Sequence, residues 1–280
     1  MKKKNTVSKI DFTENQLPST RYEVFADCMK INKILLVRLG FRLLLFCLPL
    51  IISCLLMDVS VSVLQEQYLN EEVEIEAIYS TVNSFNLINV FLWGLIGLGC
   101  AGCFKVIRRL IWQEPIFINN DFFDGIKQNW RAFVLIFMCA GFAIFVSVSS
   151  YMGGSEDWIV QNLSTFTSII FLLPILVIMM GLYNVYNITL KEAIYNSFII
   201  YVKNLFQNLL MTLIIALIFG LVMITGTFRY LLFFILPLFI VPIMMVGVHL
   251  YLCYLFDIHI NQKSYPDYVD KGVYRRRESH

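Results

Sequence analysis

Apolar residues along this chain neither alternate with polar ones nor recur only as one stripe of a helix; they gather into six long runs. These cover residues 43–63, 87–104, 132–151, 158–183, 209–225 and 230–255, and the central turns of all six lack Asp, Glu, Lys and Arg. A helix of about 20 apolar residues crosses roughly 30 Å of hydrocarbon, and each run is close to that length. The pattern predicts an all-α polytopic membrane protein with six transmembrane helices arranged as three hairpins. The first run lies too far from Met1 and is too long for the apolar core of a cleaved signal peptide, so it is expected to remain as a span. Residues 1–280 then form one six-span domain, with 1–19 and 261–280 as terminal tails.

Composition agrees with this solvent. Hydrophobic residues make up 58% of the chain and charged ones 15%, against roughly 25% charged in soluble domains. The few charges are sorted by side. Lys and Arg are retained in cytoplasmic loops, whereas acids have little influence on orientation. Basic residues cluster before run one (Lys2 to Arg42), after run two (Lys105, Arg108, Arg109, Lys127, Arg131), after run four (Lys191, Lys203) and after run six (Lys263, Lys271, Arg275, Arg276, Arg277). Only Arg229, in the turn between runs five and six, falls on the other side. That side instead carries Asp58, Glu66, Glu71, Glu72, Glu74, Glu76, Glu156 and Asp157. Both termini are therefore expected in the cytoplasm, and no basic residue is expected to accompany the acids.

Before each odd-numbered run comes a segment with the signature of a cytoplasmic, interfacial amphipathic helix. A side-chain acceptor followed three residues later by an acid marks a helix start: Thr20 with Glu23, Asp121 with Asp124, Thr189 with Glu192. A Phe-x-x-x-x-Lys spacing recurs at Phe25/Lys30, Phe122/Lys127 and Phe198/Lys203, with Asn32, Asn129 and Asn204 close behind. These repeats predict three related hairpins. In the middle segment Phe122, Phe123, Ile126, Trp130 and Phe133 share one face, while Asp124, Lys127 and Arg131 occupy the other. Such a helix suits the membrane interface or the side of the bundle.

Two motifs inside run two point elsewhere at first sight. Gly97, Gly99 and Gly102 spell G-x-G-x-x-G, and Cys100 and Cys103 spell C-x-x-C. A dinucleotide-binding turn needs a strand before the glycines and a helix after them, but here an apolar run precedes and the basic KVIRRL follows. Gly97 with Ala101, and Gly99 with Cys103, stand four residues apart as in the small-residue faces of packed membrane helices. The cysteine pair lacks the second pair of ligands that a structural zinc site needs.

Other candidate chemistry is sparse. Lys105, Arg108 and Arg109 share a helical face and, with Arg131, are candidates for contact with an anion or a lipid headgroup; Arg38 and Arg42 suit headgroup anchoring. His249 and Cys253, one turn apart, with His259 beyond, make half of a metal site. Pro49, Pro174, Pro237 and Pro242 lie inside the runs and predict kinked spans, each freeing a carbonyl that the bundle must satisfy. Hydrolase and P-loop motifs do not occur, and the basic residues follow topology instead of forming a nucleic-acid-binding face. No catalytic residue, cofactor or metal is expected.

The stretch GLGCAGCFKVIRRLIWQEPIFINNDFFDGIKQNWRAF, residues 97–133, resembles YesL-type bacterial integral membrane proteins. In that family a glycine-rich span leads through a basic turn and an acid-Pro-aromatic segment into an aromatic amphipathic helix. The likeness is looser over the remaining spans and weakest over residues 1–20 and the acidic loop. It implies a bacterial plasma-membrane protein associated with carbohydrate uptake transporters, so its expected partners are the bilayer and a transporter complex. No catalytic residues are established for the family, and none is carried over. The alternative expectation is an uncoupled transporter of small solutes or lipid.

Overall fold

The computed structural model describes residues 18–153, 157–220 and 228–273. All regular structure among them is helical. The order is α1 (Arg21–Ile31), α2 (Lys33–Leu69), α3 (Ile75–Ile111), α4 (Ile118–Met152), α5 (Trp158–Val185), α6 (Leu190–Lys203), α7 (Leu205–Gly220) and α8 (Phe228–Ser264), followed by a short 3-10 turn, Pro266–Tyr268. Helices α2, α3, α4, α5 and α8 are each long and apolar enough to cross a membrane; α6 and α7 reach that length only when taken together as one span, and they are bent by 103° where they join. Residues 221–225 of the predicted fifth span, the first 17 residues, Glu156 and Arg275 to Arg277 lie outside the described residues.

Helices α2 and α3 have 37 residues and α4 has 35. At 1.5 Å per residue each is about 50 Å long, well beyond the roughly 30 Å of a bilayer core. The surplus comes from absorbing flanking polar residues into the same helix. Its clearest case is α4, where the predicted interfacial segment and the third span are one uninterrupted helix.

Breaks fall where carbonyls can be satisfied. Asn32 separates α1 from α2, and Asn204 separates α6 from α7. At the second break the amides of Asn204 and Asn208 both donate to the carbonyl of Ile200, and Asn208 also to that of Tyr201. Asn129, the third member of the sequence repeat, sits inside α4 without a break. The threefold repeat thus holds for two of its three copies.

Capping follows the same division. The boxes Thr20–Glu23 and Thr189–Glu192 are complete, each hydroxyl accepting from the third helical N–H and each glutamate from the cap N–H. The predicted Asp121–Asp124 start is overturned, because α4 begins a turn earlier at Phe117 and Asp121 reaches back to the Phe117 N–H at 2.7 Å. At the start of α1, the Ser19 and Thr20 backbone N–H groups hold the exposed Glu23 carboxyl below its usual range. A carboxylate with a depressed pKa stabilises above its unfolded value, and that support disappears as pH falls through the folded one. Acidification through that range is therefore expected to lower amide protection factors, taken relative to intrinsic exchange at each pH, in the first turn of α1, and Glu23→Gln to abolish that response.

Helix α3 is the hub, touching α1, α2, α4, α5 and α8; its contact with α4 is the most extensive in the molecule. That contact joins helices from two different predicted hairpins, so the hairpins are not separate packing units. Near three of the four prolines at which kinks are predicted, the helix carries a π turn. Ser168–Leu172 ends two residues before Pro174, and Leu236–Ile240 contains Pro237 and ends two residues before Pro242. The extra residue of a π turn absorbs a missing N–H and the clash of the proline ring with the preceding turn. Pro49 leaves α2 continuous. The second π turn lies against α2 so tightly that a Cβ on Gly40 would overlap the Leu238 carbonyl.

Candidate functional site at the basic helix ends

The start of α1, the end of α3, the start of α4, the end of α5 and the end of α8 gather at one end of the bundle, and the basic side chains of α2 and α3 reach their backbones. Arg42, near the start of α2, donates to the Ile118 carbonyl at 2.7 Å and to the Asn119 side chain, with its guanidinium over the Phe122 ring at 5.3 Å. Arg108 donates to the Asn184 carbonyl at the end of α5 and stacks on Trp112 at 5.1 Å. Arg109 pairs with the buried Asp121 at 2.6 Å and with Glu114 at 3.6 Å. Lys105 donates to Gln128 on α4 at 2.6 Å. Each cation fastens one helix to the next, and those that end on carbonyls supply donors that helix termini lack.

Of the four residues predicted to face an anion, Lys105, Arg108 and Arg109 share this layer. Arg131 does not join them; it is exposed and covers the Trp130 ring at 5.3 Å. The terminal segments are drawn into the same layer. Arg21 pairs with Asp257, whose other oxygen accepts from Asn261 at 2.7 Å. Tyr186 donates to Asn261, Tyr265 and Tyr268 stack beside it, and Lys271 approaches Trp112. Residues 261–273, expected as a tail, are therefore built into the bundle. An acid at the end of an apolar run, Asp257, was the one sequence signal for this arrangement; Asn184, Asn119 and Tyr186 gave none.

The small residues of α3 divide between two neighbours. Cβ atoms added at Gly97 and Gly125 would meet the backbone of α4 and α3 respectively, at 2.6 Å from the Phe133 carbonyl and 2.7 Å from the Ala101 carbonyl. Gly99 faces Leu43 and Phe46 of α2, and the Cys103 thiol points at the Leu39 carbonyl at 3.9 Å. The i, i+4 pairs thus each serve one partner helix. Gly102 leaves room for the Phe122 ring.

The aromatic stripe of α4 is graded. At about 100° per residue, Phe122, Phe133, Ile126, Trp130 and Phe123 fall in that order across roughly a 100° arc. Phe122 and Phe133 are buried, Ile126 is half-buried, and Trp130 and Phe123 are 46% and 58% exposed. One edge of the stripe is core and the other faces outward, so a single interfacial face is not what the segment forms.

At the opposite end Arg229 pairs with Asp58. The acidic side therefore does contain a basic partner, supplied by the one cation that the charge pattern left over. The metal reading of His249, Cys253 and His259 loses its third member: His259 contacts Asn204, whereas His249 lies edge-on to Phe104. Among the described residues no three His, Cys, Asp or Glu side chains converge as a metal site.

These features define an all-helical, multi-pass protein whose basic side chains tie its helix ends together. Compared with protein-family models, curated proteins and solved structures, the chain matches none.

Proposed function

We propose that the chain is a non-enzymatic accessory protein of the bacterial plasma membrane, with its basic end in the cytoplasm, that serves a membrane transporter complex. The observation that carries this reading is the use made of the cations. Arg21, Arg42, Arg108 and Arg109 each hold a neighbouring helix end, an arrangement that favours a static bundle presenting a surface. That surface includes Phe123, Trp130 and Arg131, exposed on α4, the helix whose start joins this collar of basic side chains and helix ends. The resemblance over residues 97–133 directs the proposal toward carbohydrate uptake. Purification in mild detergent is expected to recover a carbohydrate transporter subunit with the wild type, and deletion of the protein to reduce uptake. If neither occurs, the accessory role fails.

A second reading, an uncoupled transporter of small solutes or lipid, draws on the π turns and on a groove between α1 and α8. Ser19, Thr20, Arg21 and Asp270 line it together with Phe25 and Leu250. Solute flux or lipid transfer by the purified protein in proteoliposomes supports that reading over the first.

A further inference from the structure

We propose that the seam between α3, α5 and α8 is an internal hydration site, in which bound water joins His249 to Asn184 and Arg108. Asn184 and His249 both contact Phe104 of α3, the first at its backbone carbonyl and the second at its ring. The Asn184 side-chain amide donates to the Phe104 carbonyl at 3.1 Å, and Arg108, one turn further along α3, donates to the Asn184 backbone. The His249 ring stands edge-on to the Phe104 ring, with centroids 6.3 Å apart. His249 is fully buried and Asn184 nearly so, at 0% and 2% exposure. Among the described residues, Asn184 Oδ1, Arg108 Nε and both ring nitrogens of His249 are shielded and have no hydrogen-bond partner.

The chemistry of those four atoms selects the ligand. Arg108 Nε and one nitrogen of a neutral imidazole are donors; Asn184 Oδ1 and the other nitrogen are acceptors. An anion leaves both acceptors unsatisfied, and a cation leaves both donors so. Water serves both kinds, and buried waters typically make about three hydrogen bonds to such groups. Stranded polar atoms in an otherwise apolar seam are costly, whereas water-bridged ones are nearly as well satisfied as directly bonded ones.

The sign of a stability change separates a wet seam from a dry one. In a dry seam His249→Leu removes an unpaired ring and raises the apparent Tm in detergent. With bridging water the same change strands the partners of the imidazole, and Tm is expected to fall by about 2 to 4 °C, a shift typical of one lost interaction in a chain of this size. Asn184→Leu is expected to act less on the His249→Leu background than on the wild type, because both side chains share the water. A rise in Tm for His249→Leu, or strict additivity, overturns the proposal. Should the variants fail to fold, wild-type density at about 2 Å resolution decides: a water peak within hydrogen-bond distance of a His249 nitrogen and Asn184 Oδ1 supports the site. A dry seam, or an anomalous peak there after bromide or zinc soaking, contradicts it.

Discussion

Gly40→Ala is expected to be among the most damaging single substitutions in the chain, although it adds one methyl group. The new Cβ would lie 1.9 Å from the Leu238 carbonyl oxygen. That atom belongs to the π turn of α8, so no side-chain rotation relieves the overlap, and α2 or α8 must shift. Overpacking of this kind costs typically 1 to 3 kcal/mol and occasionally more; with backbone on the far side, about 3 kcal/mol is expected here. Gly97→Leu should act similarly by pushing α4 from α3, and it should leave nucleotide affinity unchanged, since the glycines lie inside a helix. Gly247 provides the contrast, because its nearest added contact is the edge of the Phe25 ring at 3.7 Å. Gly247→Ala is expected to hold or raise stability, as alanine is favoured over glycine in helices by up to about 1 kcal/mol. Thermal unfolding in one detergent checks all three. Similar losses for Gly40→Ala and Gly247→Ala would contradict the close approach of α2 and α8.

Asp121→Ala is expected to loosen the start of α4. Asp121 has two attachments, the guanidinium of Arg109 and the N–H of Phe117. Its own side chain is 4% exposed and that of Arg109 is 29% exposed. Breaking a fully buried pair costs about 3 to 5 kcal/mol, and partial exposure of Arg109 lowers this to about 2 to 3. Asp121→Asn retains a hydrogen-bonding side chain and should cost less. Arg109→Ala should be destabilising too, and the double variant should lose less than the sum of the two, as expected of groups in contact. Hydrogen exchange over residues 117–124 locates the effect; additive losses with unchanged exchange there would show that the pair does not hold the helix.

The sequence made the spans legible because burial in lipid imposes a uniform apolar demand along each one, and α2, α3, α4, α5 and α8 all contain their predicted runs. It also located both complete capping boxes, since an N-cap uses residues three apart. It could not locate partners. Periodicity placed Gly97 and Gly99 on packing faces without showing that one meets α4 and the other α2. Gly40 escaped notice because its role comes from a π turn almost 200 residues away. Asp121 has the sequence signature of a cap, yet its helix starts one turn earlier, and Phe117 has no capping side chain to reveal this. Arg42, Arg108 and Arg109 were visible as charges, but the carbonyls and acids they serve become neighbours only in the folded bundle.

The orientation of the bundle underlies the entire functional reading, and thiol accessibility tests it most directly. Glu72, Asn120 and Lys263 are exposed, the first at the acidic end and the others at the basic end. Each can be replaced by cysteine in a background lacking the native thiols. Intact cells treated with a membrane-impermeant reagent are expected to label Glu72→Cys alone, while Asn120→Cys and Lys263→Cys react only after permeabilisation. Labelling of Asn120→Cys or Lys263→Cys from outside, with Glu72→Cys protected, would place the basic collar on the wrong side of the membrane and contradict the account.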